Sequence, residues 1–148
     1  MQQVNQQELQ HLISVSTGFI DIYVIECFNQ PAMLVPQNIV LSALDSPTDV
    51  SWVDWHDYQL PVYAIHHPHH SKGVALVIEG ETNQQRFALM CHEMPQTMRL
   101  RISEVVDCQQ ADQPAEVFQY VKVGERIFHI PNLSAIEQRL GIAKKELI

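Results

Sequence analysis

The sequence predicts a mostly β fold, a barrel or sandwich built as one domain of two small subdomains sharing a core. Three observations carry this expectation. Short runs rich in β-branched and aromatic residues recur along the 148 residues, and turn residues separate them. Helical spacing is confined to the ends, with one short ambiguous run between. A chain of this length buries roughly 70% of its unfolded surface, so neither disulfide nor metal is needed to hold it together.

Asn5 and Glu8 have capping-box spacing, and Leu9, Leu12 and Ile13 follow at helical intervals, so a short helix is expected before Gly18. Phe19 to Phe28 then reads as a strand, broken by Asn29-Gln30-Pro31. Ala32 to Val35 is a short return strand that Pro36 stops. Ile39 to Leu44 suits a helical turn or a strand equally, because so short a run has no decisive period. Asp45-Ser46-Pro47-Thr48-Asp49 has loop composition.

Val50 to Trp55 and Gln59 to Ile65 are strands around a turn at His56-Asp57-Tyr58, and Pro61 marks the second as an edge or a strand start. His66 to Gly73 is a surface loop. Val74 to Ile78 is apolar at every position, which predicts a strand buried on both faces. After a turn over Gly80 to Gln85, Arg86 to Met90 forms another strand. Met98, Leu100 and Ile102 alternate with Arg99, Arg101 and Ser103, as in a half-buried strand. Val117 to Val123 and Arg126 to Ile130 flank Gly124-Glu125, a two-residue hairpin with glycine first. Asn132 or Ser134 caps a last helix with Leu133, Ile136 and Leu140 on one face, and Gly141 ends it.

Nine basic against seventeen acidic residues leave a net charge of −8. A phosphate-neutralising surface needs clustered Lys and Arg, so nucleic acid is not an expected partner. No apolar run approaches the ~18 residues of a membrane span, and the first residues lack the pattern of a signal peptide. Cys27, Cys91 and Cys108 are odd in number and far apart, which reads as reduced core or edge thiols of a cytoplasmic protein.

The loudest local feature is His66-His67-Pro68-His69-His70. Four imidazoles suit zinc or copper, yet neighbouring residues in a loop rarely converge on one ion, and a solvated connector is the plainer expectation. Asp54 and His56 share a face if both lie on a strand, and Asp57 adjoins them, but no nucleophile stands at matching spacing. Cys91 and His92 are sequence neighbours and point oppositely on a strand. No Gly-rich phosphate loop and no G-x-S-x-G elbow occurs. Trp52 and Trp55 fall on opposite faces of a strand, so either one lies inside and the other at a junction or a partner surface, or both are buried in two different packing layers.

The segment Trp52-Val53-Asp54-Trp55-His56-Asp57-Tyr58-Gln59-Leu60-Pro61-Val62-Tyr63-Ala64-Ile65 resembles the central motif of CheW-like domains. That motif usually reads Gly, two apolar residues, Asn or Asp, an apolar residue, Arg-Gly, three residues, then Pro-Val-apolar-Asp-Leu. The flanks follow the family's order: Ile22 to Cys27 as first strand, Ala32 to Leu44 as the apolar-Pro segment, and Val74 to Glu79 with Phe87 to Glu93 as paired strands. Val121 to Leu133 is similar to its closing hairpin and helix. Phe87 to Pro95 and Met98 to Arg101 resemble the ChpC-type branch of type IV pilus chemosensory systems.

The resemblance implies two small packed β-barrels over residues 18–140, after a helical segment at 1–17 and before a tail at 141–148. It also implies a non-catalytic cytoplasmic adaptor without cofactor, joining the regulatory domain of a CheA-type histidine kinase to a methyl-accepting chemoreceptor. Val40 aligns with the receptor-associated Val, and Trp52 and Trp55 join it as partner-binding candidates. The family's Glu is Ser42 here, and its Arg-Gly is His56-Asp57. Both members of a charge pair are thus replaced together, which avoids a single unpaired buried charge. The alternative expectation is a metal-binding protein or small hydrolase using His66, His67, His69 and His70 with Asp54 and His56 as helpers. A third, a small-molecule-binding β-barrel, has no convergent polar set visible in the sequence.

Overall fold

A computed structural model describes residues 18–80 and 82–141. The helix expected from Asn5 and the tail beyond Gly141 lie outside the described residues. Strands β1 (Phe19–Cys27) and β2 (Gln30–Pro36) form a hairpin; a single 3-10 turn at Gln37–Ile39 leads into β3 (Val40–Pro47). Then follow β4 (Trp52–Trp55), β5 (Tyr58–Ala64), β6 (Lys72–Ile78), β7 (Phe87–Cys91), β8 (Gln96–Arg101), β9 (Val105–Asp107), β10 (Val117–Val123) and β11 (Arg126–Pro131). Helix α1 (Leu133–Arg139) closes the described chain.

The strands form two curled sheets, ordered β8-β1-β2-β11-β10-β9 and β3-β6-β7-β5-β4. Each repeats one plan: an antiparallel hairpin joined to a second hairpin through a parallel pair, β2 with β11 and β7 with β5. Side-chain alternation explains how they stack. Ile25, Met33 and Val35 from the first sheet meet Leu76, Ile78, Phe87 and Leu89 from the second in one shared core, capped by Ile136 of α1. The alternate residues Ile22, Val24 and Leu34 fill the first sheet's own curl, with Val121 and Phe128. Ala75, Val77, Ala88 and Met90 do the same in the second, with Val53 and Leu60. Strands apolar at every position are therefore those with a core on each face. Val74 to Ile78 is buried throughout, as its composition predicts.

Several expectations are corrected. Asp45, Ser46 and Pro47 continue β3 rather than forming a loop, because they pair with Val74, Gly73 and Lys72. Ile39 to Leu44 divides into the end of the 3-10 turn and the start of β3. Pro61 lies in β5, inside its sheet between β7 and β4. Val62 N–H donates to the Ser51 carbonyl, so the next pair, Trp52 with Pro61, is non-hydrogen-bonded and the proline nitrogen faces away from β4. On that other side the parallel pairing begins only at Val62 with Ala88, so no bond is lost. Strand β9 has three residues, too few to show a period, and rests on β10. Of the two candidate caps, Asn132 starts α1 by accepting from Ala135 N–H at 3.1 Å, and Ser134 lies inside the helix. Gly124 has φ +61, the left-handed value that its first place in the hairpin demands.

Candidate functional site

Two regions gather the side chains that the sequence singles out. The first is the pair of edge strands of the second sheet. Strand β3 carries Val40 and Ser42, and β4 with its turn carries Trp52, Trp55 and His56 at the opposite end of the strand order. Val40 pairs with Ile78 and Ser42 with Val77, so Leu41 is an extra residue that bulges the edge. Val40 is half-buried against the shared core, while Leu41 and Leu44 lean on the second sheet's own core.

On β4, Trp55 is half-buried on that same core, with the Arg86 guanidinium 5.3 Å from its ring centroid and the His56 ring edge-on at 4.4 Å. The Arg86 Nε is buried without a hydrogen bond, which leaves the aromatic face as its compensation. Trp52 points the other way and is 51% exposed. The hydrogen-bonded Ser51–Val62 pair alternates with the pairs of Trp52 and Asp54, whose backbone groups therefore face the open edge of the sheet. Among the described residues, an exposed indole thus stands beside strand backbone that has no pairing partner.

His56 lies past the end of β4 with φ +54, so the strand alternation that would align it with Asp54 does not extend to it. No hydrogen bond or ion pair among the described residues joins His56 to Asp54 or to Ser42. Asp57 shares the exposed turn.

The second region is the histidine loop, where the fold adds a fifth ring. His67 touches His69 and His70 at centroid distances of 4.8 and 5.7 Å, and His70 meets His92 edge-on at 4.8 Å. His92 follows β7 and is far from the loop in sequence, so no spacing rule announces it. Phe28, from the β1–β2 turn, packs edge-on against His67 at 4.6 Å. The loop is tied down by His69 N–H donating to His67 Nδ1 at 3.0 Å and by Thr48 Oγ1 donating to the His70 carbonyl. Desolvation, then repulsion from the neighbouring rings, pushes the His67 pKa below its ordinary value, and His66 is lowered first by burial. Among the described residues, Nδ1 of His92 is buried without a hydrogen bond.

The rings meet one another at tilted and edge-on angles. Among the described residues no group of three His, Cys, Asp or Glu side chains is placed to hold a metal ion. Two of the three thiols are quiet: burial pushes Cys27 and Cys91 up to about 12, and their S–H groups meet the carbonyls of Ile25 and Val74. Both are protonated at neutral pH and lack nucleophilic thiolate. Among the described residues no helix is long and apolar enough to cross a membrane. No family model matches the chain, and no curated protein matches it.

Proposed function

We propose that this chain is a non-catalytic chemosensory adaptor of CheW-like type. It couples the regulatory domain of a CheA-type histidine kinase to a methyl-accepting receptor, in the cytoplasm, in chemotaxis or type IV pilus twitching motility. The observation that carries the reading is Trp52, half exposed on an open strand edge at the start of the motif-bearing β4–β5 hairpin. Tryptophan is the residue type most enriched at interface hot spots, and an exposed one contributes little to a core. Two curled sheets sharing a core also suit a rigid two-sided bridge, and the half-buried Val40 on the opposite edge strand supplies a second contact.

The test is titration of the wild type, Trp52→Ala, Trp55→Ala and Val40→Ala against a kinase regulatory domain and a receptor tip. Trp52→Ala is expected to keep its circular dichroism and lose about 2 kcal/mol of binding, roughly thirtyfold. Trp55→Ala is expected to lose stability as well, because its ring rests on the second sheet's core. Wild-type protein that binds neither partner at tens of micromolar, roughly a 6 kcal/mol interaction, would overturn the adaptor reading.

A further inference from the structure

Strand β8 lies at one end of the first sheet's order, as β4 does in the second. One hydrogen bond fixes the backbone phase of β8. Ile102 N–H donates to the Gly18 carbonyl at 3.0 Å, so by alternation the pairs Arg101 with Phe19 and Arg99 with Asp21 are non-hydrogen-bonded. The N–H and C=O groups of Arg99 and Arg101 therefore point away from β1, toward the open side of β8. On β4 the same alternation turns those of Trp52 and Asp54 outward. Each edge thus offers backbone donors and acceptors at two residues spaced two apart. Among the described residues no strand pairs with either edge.

The side chains at these four positions are complementary. Leu100 is buried in the first sheet's own core and Met98 and Ile102 lean on it, so Arg99 and Arg101 stand on the outer face, exposed. Arg99 Nε donates to Asp21 Oδ1 at 3.0 Å, which engages one of the five guanidinium N–H donors. The Arg101 guanidinium lies 5.0 Å from the Phe19 ring centroid and meets no carboxylate among the described residues. On β4, Val53 and Trp55 face the second sheet's core, so Trp52 and Asp54 stand outward and exposed. Asp54 makes no side-chain hydrogen bond or ion pair among the described residues.

Antiparallel docking of β4 on β8 of a second molecule places Asp54 opposite Arg99 when Trp52 is opposite Arg101. Residues directly opposite share one face of the sheet, so each side chain meets its complement. The Asp54 carboxylate reaches the donors that Asp21 leaves open, and the indole gives Arg101 a second aromatic face besides Phe19. The outward backbone groups of the same four residues close the ladder. Pairing β4 with β4 or β8 with β8 instead sets like charges against each other, which disfavours a symmetric contact. We propose that the β4 edge of one molecule takes up the β8 edge of a second copy of this chain, head to tail. The inference goes beyond the adaptor reading: it shares the Trp52 edge with it but requires neither kinase nor receptor. A pair joined this way keeps one open edge of each kind, so further copies add in the same sense.

The test is sedimentation velocity of the full chain alone, from about 10 µM to about 1 mM. A short edge contact is small, so the sedimentation coefficient is expected to rise only toward the upper end of that range. Two double variants each disable one edge: Trp52→Ala with Asp54→Asn on β4, and Arg99→Ser with Arg101→Ser on β8. Each is expected to keep its circular dichroism and to self-associate about tenfold or more weakly than wild type. Their equimolar mixture should form dimers and nothing larger, because only one intact edge of each kind remains. Amide exchange at Trp52, Asp54, Arg99 and Arg101 should slow as wild-type concentration rises. A wild type that stays monomeric at about 1 mM overturns the proposal and leaves the β4 edge to other partners. So does association that survives in both folded variants, or that is lost in the β4 variant alone.

Discussion

Burial of His129 as a neutral imidazole ties the stability of the fold to pH. Its folded pKa is depressed chiefly by burial, against the opposing pull of the Pro31 carbonyl. The unfolded chain takes up a proton on this residue near 6.5, whereas the folded chain does so only at lower pH. Across that window the unfolded state binds more protons, so stability rises with pH and falls on acidification. His66 and His67 are depressed as well and act with the same sign, so the contribution of His129 is read by difference. The urea midpoint of the wild type is expected to fall between about pH 7.5 and about pH 5.5, and that of His129→Gln to fall less. Glu116, also depressed, adds its loss only below its ordinary 4.5, outside this window. Equal slopes for wild type and variant would contradict the assignment of His129.

At the scale of elements, β6 shows how a strand is constrained by what crosses it. Gly73 sits in β6 opposite Ser46, and a Cβ there would overlap the Cys91 carbonyl oxygen and come within 2.9 Å of the Thr48 Cγ2. Backbone of β7 cannot swing aside as a flexible side chain would. Gly73→Ala is expected to destabilise by about 2 kcal/mol, within the range for overpacked cores, read from the shift in denaturant midpoint at constant slope. An unchanged midpoint would mean that β6 and β7 separate more easily than their pairing indicates. The β4–β5 turn falls where its residues predict but is one residue shorter, since Tyr58 already pairs with Trp55 in β5, and His56 takes a left-handed φ that composition does not announce, glycine being the usual occupant of such a position. The run from Asp45 to Pro47 misled for a related reason. Its polar and proline composition is that of a loop, yet an edge strand tolerates such residues because only one of its sides needs partners.

The molecule as a whole is held by the core that both sheets share. Leu76, Leu89, Ile25 and Met33 pack in that one cluster, with Ile136 closing it. Truncating a central member removes contacts from both sheets at once, so the sheets are expected to unfold together. Leu89→Ala should cost about 2–5 kcal/mol and lower amide-exchange protection by the same amount in β1, β2, β6 and β7. Protection lost in β6 and β7 but retained in β1 and β2 would show two separately stable halves. Phe28 N–H donating to the Ile65 carbonyl at 2.9 Å adds a backbone link between the sheets near the histidine loop.

Local pattern alone determined most strand positions, the both-faces burial of β6, the Gly124 hairpin and the last helix with its stop at Gly141. It also placed the two tryptophans on opposite faces of one strand. These features depend on neighbours a few residues apart, where side-chain period, turn chemistry and caps act directly. Tertiary structure alone decided which tryptophan is exposed, because that depends on which face of β4 meets the second sheet's core. It also brought His92 to the histidine loop, and it gathered Gln30, Tyr63, Glu116 and His129 around one cleft. The parallel pairs β2–β11 and β5–β7 join strands distant in sequence, and periodicity states that a residue is buried without stating against what.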